Sequence, residues 1–323
     1  MLDSAKIWKW LRANLFNSWL NSLLTLICLG LLYLVTSNFL NWAFTSAQWQ
    51  VVRLNLRGLL IGRYPLEQTW KIWLASGAIA LALISSRLFP KMLWWRLGSL
   101  ILVVSTILFA RPLEWQGLIL TLFLATSSLL LSFPLGLLLA WGRQSNLPVF
   151  RWFSAAYIEL MRGVPLIAVL FMGQVMLPLF LPPGLEFSRV GRAIAALSLF
   201  AAAYTAENLR GGFQAIPQGQ KDAAAALGLS NLAMLFYIIL PQALRAVLPA
   251  LTGQTIGLLM DTSLVSQVGI LELTGISRSL LAQPEFIGRY AEVYLVIALL
   301  YWLFCATISQ TSRRLEKGWE SGN

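Results

Sequence analysis

Long apolar runs recur along this chain, and they limit the folds that it can adopt. A helix needs about 17–25 mainly apolar residues to cross a bilayer. Eight stretches reach or approach that length: 19–40, 70–86, 92–110, 115–141, 164–181, 191–206, 236–260 and 291–309. Charged residues make up only 11% of the chain, against about 25% in soluble domains. The sequence therefore predicts an all-α, polytopic integral membrane protein with about eight transmembrane helices.

The distribution of basic residues predicts the orientation of these helices. The net charge is +11, and a cytoplasmic N-terminus puts fifteen of the 24 basic residues on the cytoplasmic side. We therefore expect both termini and the tail 313–323 in the cytoplasm, and the loop 41–69 in the periplasm. This loop either lies against the outer headgroups or forms a small periplasmic lobe. Because the basic residues stand in small groups between apolar runs, a nucleic-acid partner is not expected.

Several kinds of chemistry lack their usual residues. The chain has no His, its two cysteines Cys28 and Cys305 lie in separate apolar runs, and no GxxxxGK[ST] loop is present. We predict no catalytic residue, no metal site and no cofactor bound by this chain. The first apolar run, 22 residues long, exceeds the roughly 7–15 residues of a signal-peptide core, so we expect an uncleaved span.

The composition changes near residue 112 and suggests two parts. Beyond this point proline, glycine and charged residues enter the apolar runs, at Pro134, Pro178 and Pro249 for example. Irregular backbone at membrane depth is tolerated where it is buried in protein or lines a cavity. We therefore predict an N-terminal extension over 1–112 and a functional core over 113–312.

The segment 217–230, PQGQKDAAAALGLS, predicts a short cytoplasmic helix. Asp222 suits its first turn and Gly228 its end. Helices this short are marginal alone, so something must hold it. The four alanines 223–226 offer a smooth surface for another protein, but a plain connector between two spans explains the residues equally well.

Polar residues within the later spans suggest a path for a substrate. Gln254 and Asp261 are seven residues apart and so share one face of a helix. With Thr262 and Ser263 they form the most polar group in the core spans. A carboxylate at membrane depth is costly and indicates function, although Asp261 also fits an interfacial helix end. We name Asp261 as the candidate ligand for a substrate ammonium group.

Further residues have candidate gating or structural roles. Gly253 and Gly257 form a small-xxx-small pair, for which plain helix packing is the favoured interpretation. Pro165 suits the first turn of a span and Arg162 a cytoplasmic anchor. Glu207 and Arg210 close the sixth predicted span, where we expect them to pair with one another or with the segment 217–230 that follows.

The segment 216–241 also carries a family resemblance. Its spacing DAA-x3-G-x9-I-x-LP resembles the EAA loop of ABC importer permeases, and the motifs around it resemble those of permeases for polar amino acids. These are YIELMRGVPLI, AENLRGG, IPQGQ, LPQALR and DTSLVSQVG. With its extension, the chain resembles the M-type permeases of the histidine, glutamate and general L-amino-acid importers. Two positions depart from the pattern: Asp222 replaces a glutamate, and Met260 replaces a frequent lysine.

The resemblance implies a fold, a function and partners. It implies a type I, MetI-like core of five helices behind a three-helix extension, in a bacterial inner membrane. The chain would be a permease subunit, not an enzyme, that passes L-amino acids from a periplasmic binding protein to the cytoplasm. The implied partners are a homologous but non-identical second permease subunit, a dimer of ATP-binding subunits that use ATP and Mg, and membrane lipid.

The resemblance also assigns roles to residues. The coupling helix that docks on the ATPase would involve Gly219, Asp222, Ala223, Ala224, Gly228 and Pro241. An amide at position 254 would favour neutral or mixed amino-acid substrates. The competing interpretation is an ion-coupled secondary transporter that works without an ATPase.

Overall fold

The computed structural model describes residues 4–74, 77–78, 81, 114–182, 184 and 186–320. Within these residues the regular elements are helical, and one isolated bridge joins Gly117 to Glu272. The main helices are α1 (Ser4–Asn14), α2 (Trp19–Asn41), α3 (Gln50–Ile61), α4 (Gly117–Arg143), α5 (Pro148–Gly163), α6 (Leu166–Phe171), α7 (Leu177–Phe180), α8 (Arg189–Ala215), α9 (Gln218–Ala226), α10 (Asn231–Met234), α11 (Leu240–Asp261), α12 (Leu273–Leu281) and α13 (Tyr290–Glu320). The chain divides into two compact units, Met1–Val51 and Val52–Asn323.

The first unit contains the first predicted span. Helix α2 begins after Ser18, whose Oγ accepts a hydrogen bond from the Asn21 N–H at 3.2 Å. This is a usual N-cap arrangement. None of the α2 side chains is buried by protein, as expected for a helix whose apolar surface faces lipid. The predicted span 19–40 is therefore confirmed as a helix of 23 residues.

Four helical segments of the described chain are long and apolar enough to cross a membrane: Trp19–Ser46, Gly117–Arg143, Asn231–Val268 and Tyr290–Lys317. A fifth arises if Pro148–Gly163 and Leu166–Phe180, which meet at an angle of 105°, count as one span. The predicted span 92–110 lies outside the described residues. Of the span 70–86, only residues 70–74, 77, 78 and 81 are described. The boundary at residue 112 also lies outside them.

Two prolines follow π-helical turns. The turn Met172–Met176 precedes Pro178, and the turn Leu235–Ile239 precedes Pro241. Proline has no N–H and its ring crowds the carbonyl four residues earlier, and a π turn relieves both problems locally. The predicted span 236–260 is therefore confirmed, since it lies within one helical segment that runs continuously through Pro241 from Asn231 to Val268.

Helix α8 lies at the centre of the second unit and packs against α4, α5 and α11. Small residues allow close packing, and a Cβ on Gly136 of α4 would lie 2.6 Å from the Thr205 Cβ. A helix from Arg189 to Ala215 covers the span predicted at 191–206, but it is not among the described segments that are apolar enough to cross a membrane. It can carry polar groups because much of its surface is buried by protein. Glu207 and Arg210 consequently lie within the helix and do not close it.

Part of the loop 41–69 folds as a helix against the core. A Cβ on Gly117 would lie 2.5 Å from the Leu59 carbonyl oxygen, so the start of α4 touches the α3 backbone. The Arg63 N–H donates to Gln116 Oε1 at 3.1 Å. Leu59 and Tyr64 are fully buried. This half of the loop therefore belongs to the compact unit of the core, which the sequence analysis assigned to the extension.

Candidate functional site: a cavity between α6, α8 and α11, and the helix after α8

A cavity of about 500 Å³ lies between α6, α8 and α11. Its walls are Leu166, Phe200, Ala201, Tyr204, Asn208, Ala250, Gln254, Gly257, Leu258 and Asp261. The predicted shared face of Gln254 and Asp261 is confirmed, because both residues line this one cavity. The volume is within the range of small-molecule sites.

Three hydrogen bonds fix the Gln254 side chain to α8. Its Nε2 donates to the Ala201 carbonyl at 3.0 Å and to Thr205 Oγ1 at 2.7 Å. Its Oε1 accepts from Asn208 Nδ2 at 2.7 Å. Both amide protons are therefore used within the protein, and the side chain joins α11 to α8. What it can still offer to a molecule in the cavity is one acceptor position on Oε1.

Asp261, by contrast, has a carboxylate without a partner among the described residues. It ends α11 and is half-buried. Within the described part of the chain, no side chain forms an ion pair or a hydrogen bond with it. Phe200 and Tyr204 line the same cavity, with their ring centroids 5.1 Å apart. The cavity therefore combines an unpaired anion with an aromatic wall, an arrangement that suits an ammonium group.

The structure does not bring Thr262 and Ser263 into this site. Thr262 is fully buried, and its Oγ1 donates to the Leu259 carbonyl at 2.6 Å. Neither residue lines the cavity. The residues that take their place are on α8: Phe200, Tyr204 and Asn208 follow one another at four-residue spacing. That spacing, visible in the sequence, was the available signal for them.

The two glycines of α11 do not pack against the described residues of the chain. A Cβ on Gly253 or on Gly257 would meet no described atom within 4 Å. We expected plain helix packing to explain these glycines, but no described part of the same chain packs against them. Gly257 is itself part of the cavity wall, and Gly253 leaves a smooth surface beside it.

Charged residues from three helices meet around Glu207. Its carboxylate accepts from Arg210 Nε at 3.0 Å and from Arg143 Nη1 at 3.4 Å, and Arg162 Nη1 lies 3.8 Å away. Arg143 also reaches Glu159 at 3.3 Å. The predicted pairing of Glu207 with Arg210 is confirmed. Arg162 is more than a simple anchor, since it joins this cluster.

Arg162 also connects this cluster to the cavity. Its guanidinium carbon lies 5.9 Å from the ring centroid of Tyr204, which lines the cavity. The helix α5 ends one residue later, at Gly163, and Pro165 stands just before α6. The cluster therefore adjoins the end of the cavity nearer to α9.

The helix of the coupling segment is longer than predicted. It begins at Gln218 rather than at Asp222, and the Asp222 carboxylate accepts from Gln218 Nε2 at 3.0 Å. Gly228 has φ +73° and ends the helix as predicted. The Gly228 N–H donates to the Ala225 carbonyl at 2.9 Å and the Leu229 N–H to that of Ala224 at 3.2 Å. These two bonds are a Schellman motif.

The four alanines do not share one surface. Ala224 is only 2% exposed, because α9 packs on the π-helical turn before Pro241. Its expected part in an outward docking surface is therefore wrong. The opposite side of α9 carries Gly219, Asp222 and Ala226, at three- and four-residue spacing, and all are exposed. We call these three residues the outer stripe of α9.

A buried carboxylate that the sequence analysis missed lies beyond the cavity. Glu272 is fully buried and caps α12, accepting from the N–H groups of Thr274 and Gly275 at 2.9 and 2.8 Å. Thr121 Oγ1 and the Tyr301 hydroxyl approach it at 3.3 and 3.4 Å. Burial raises the pKa of Glu272 to about 7 despite these hydrogen bonds. It ties α4, α12 and α13 together.

Comparison with known proteins identifies similar sequences over the whole chain. Residues 132–320 match the family model described as binding-protein-dependent transport system inner membrane component. The inner membrane amino-acid ABC transporter permease protein YhdY of Escherichia coli K12 is 36% identical, over 99% of this chain and 95% of its own length. The glutamate/glutamine/aspartate/asparagine transport system permease protein BztC of Rhodobacter capsulatus is 31% identical, over 96% and 93%.

Solved structures give a matching fold for the core. A crystal structure of an amino acid ABC transporter with histidines has 30% sequence identity and a TM-score of 0.55. The match covers 66% of this chain and 97% of that one. The present chain also resembles an inward-facing MetNI methionine ABC transporter in fold, at 22% identity and a TM-score of 0.51.

Proposed function

This chain belongs to the family of inner membrane components of binding-protein-dependent transport systems, and from that premise we propose how it moves its substrate. It is a multi-pass inner-membrane permease subunit of an amino-acid ABC importer. The family match favours this function over an ion-coupled secondary transporter. Chemistry on the substrate is not part of the proposal: the chain translocates, and ATP and Mg are used by a separate ATPase.

The cavity lined by Gln254 and Asp261 is the proposed substrate path, and the unpaired Asp261 carboxylate is the observation that carries this proposal. Its charge complements the ammonium group common to amino acids. No basic side chain is among the cavity's described lining residues, so the substrate carboxylate gains no ion pair there. Binding through one charge is weak enough to allow release, which a translocation path requires.

The proposed substrate class follows from the same groups. An acidic side chain near Asp261 would be repelled, and Gln254 offers an acceptor but no free donor. We therefore assign neutral or mixed amino acids to this subunit. The aromatic wall of Phe200 and Tyr204 contacts the apolar part of the substrate.

The replacement Asp261→Asn tests this path. It keeps the size of the side chain and removes its charge, and a charge-assisted hydrogen bond is worth about 1.5–3 kcal/mol. Uptake at limiting substrate should therefore fall by about tenfold or more, with unchanged amounts of assembled importer. The control is Glu285→Gln, which removes an exposed carboxylate outside the cavity. Normal uptake by the Asp261→Asn importer would remove this residue from the path.

The proposed partners fit the remaining surfaces. The outer stripe of α9 is assigned to the ATP-binding subunit, which is present as a dimer. The open surface at Gly253, outside the cavity wall, is assigned to a second, homologous but non-identical permease subunit, because glycine lets another helix approach closely. A periplasmic binding protein delivers the amino acid to the opposite side. Both termini of this chain then lie in the cytoplasm.

A further inference from the structure

Two recesses of different character meet at Arg192, near the start of α8. The first is a polar chamber of about 380 Å³ whose charged side chains are those of Glu186 and Arg192. The second is a groove of about 400 Å³ between α5, α6, α7 and α8. Neither recess shares a residue with the proposed substrate path.

The groove is suited to a hydrocarbon chain. Arg192 is the one polar side chain among its described lining residues; the others include Met161, Met172, Met176 and Leu199. Methionine side chains adapt to flexible apolar ligands. Along α8 the groove extends from Arg192 to Leu199, which at 1.5 Å per residue is about 10 Å. A linear chain can therefore lie in it with one end at the guanidinium.

Among the described residues, the Arg192 guanidinium has no partner. Its Nε is buried, and no acceptor from the described residues reaches it. Glu186, in the same chamber, forms no ion pair with it within the described structure. The other buried atom without a partner among the described residues is Gln174 Oε1. A water molecule bound at the Arg192 Nε would leave the charge of Arg192 uncompensated.

We propose that these joined recesses bind a phospholipid whose headgroup carries a phosphate and a primary ammonium, as in phosphatidylethanolamine. The phosphate pairs with Arg192, the ammonium faces Glu186, and an acyl chain fills the groove. The charges of the chamber match this headgroup in sign and number. A free amino acid matches the two charges as well, but it leaves the groove empty.

The site also joins separate elements. The groove lies between α5, α6, α7 and α8. The π-helical turn Met172–Met176 connects α6 to α7. A bound lipid would therefore hold the bent segment 148–180 against α8, the helix that also lines the substrate path.

The test is lipid retention by the intact importer. The complex is purified in mild detergent through a tag on this chain, stripped by washing, and offered phosphatidylethanolamine or phosphatidylglycerol at equal concentration. Native mass spectrometry then counts the lipids on each complex. Three variants address the three parts of the site: Arg192→Gln for the phosphate, Glu186→Gln for the ammonium, and Ala195→Trp for the groove. Arg189→Gln is the matched control, since it removes an exposed guanidinium that lines neither recess.

We expect phosphatidylethanolamine to be retained in preference to phosphatidylglycerol. Arg192→Gln should reduce its retention by about tenfold or more, because a charge-assisted hydrogen bond is lost. Glu186→Gln should remove the preference between the two lipids, Ala195→Trp should prevent retention of both, and Arg189→Gln should change nothing.

Three results would overturn the proposal. One is equal retention of both lipids by the unmodified complex, and another is normal retention by Arg192→Gln. The third is a result with Ala195→Trp: if this variant loses the second permease subunit but retains the same amount of lipid, the groove is assigned to that subunit. If Ala195→Trp does not assemble, Arg192→Gln and its control decide the question.

Discussion

The outer stripe of α9 makes a prediction that separates a docking surface from a connector. We replace Ala226 by Glu, on the exposed side of the helix, two residues and so about 200° from the buried Ala224. Glutamate is almost as good a helix former as alanine. Its repulsion from Asp222, four residues earlier, costs only about 0.5 kcal/mol. The permease should therefore insert and fold normally.

The expected effect on the complex is much larger than the effect on the fold. A charge buried without a partner at an interface costs about 3–5 kcal/mol. Each 1.4 kcal/mol is a factor of about ten, so the ATPase should bind about 10² to 4 × 10³ times more weakly. A complex held with about 8–12 kcal/mol would then dissociate during purification.

The assay is the ratio of ATP-binding subunit to permease after affinity purification through this chain. Ala226→Ser is the matched control, because it adds a small polar group without bulk or charge and should retain the ATPase. Ala224→Glu provides a contrast: that side chain is buried within the chain, so this variant should lower the amount of folded permease itself. A full complement of ATPase with Ala226→Glu, together with normal uptake, would refute the docking argument and leave 218–226 as a connector.

Three further predictions concern other parts of the chain. Gly228→Val should weaken ATPase retention less than Ala226→Glu does. A Cβ at position 228 meets no described atom, so the only cost is that of the positive φ, about 1–2 kcal/mol. Unchanged retention of the ATPase would show that the end of α9 is not critical. Burial raises the pKa of Glu272 to about 7. The protonated carboxyl of Glu272 therefore contributes its full stabilisation below the pKa that this group has in the unfolded chain, and this stabilisation is lost as the pH rises through about 7. The melting temperature of the purified complex should therefore fall from pH 6 to pH 8, and fall less with Glu272→Gln; equal pH dependence in both would contradict the assignment. A cysteine at Gln48, in the outer loop, should react with an impermeant thiol reagent in intact spheroplasts, whereas labelling only after lysis would reverse the predicted orientation.

The sequence was sufficient for the class of fold and for the spans that face lipid. Helices such as α2 and α4 are long and apolar because lipid surrounds them, so their composition reveals them. Helix α8 was harder to delimit, because protein surrounds it and allows it to carry Thr205, Glu207 and Arg210. The span through Pro241 was predicted as continuous, but the π-helical turn before it was not, since such a turn is a local adjustment without a distinct sequence signal.

The candidate site was predictable where one helix determines it. Gln254 and Asp261 are on the same helix, so their spacing alone places them on one face. Asn208, which hydrogen-bonds to Gln254, comes from another helix, and its approach depends on how α8 packs against α11. The same limit applies to α9: its glycine end was visible, but only the packing of the helix shows that Ala224 faces inward.

Uptake by the purified importer tests the central claim most directly. The complex isolated through this chain is reconstituted into liposomes with a periplasmic amino-acid-binding protein, and accumulation of a labelled neutral amino acid is measured with ATP supplied on the ATPase side. We predict accumulation that requires both ATP and the binding protein and that persists when an ionophore collapses every ion gradient. Accumulation driven by an ion gradient without ATP would contradict the account and identify the chain as a secondary transporter.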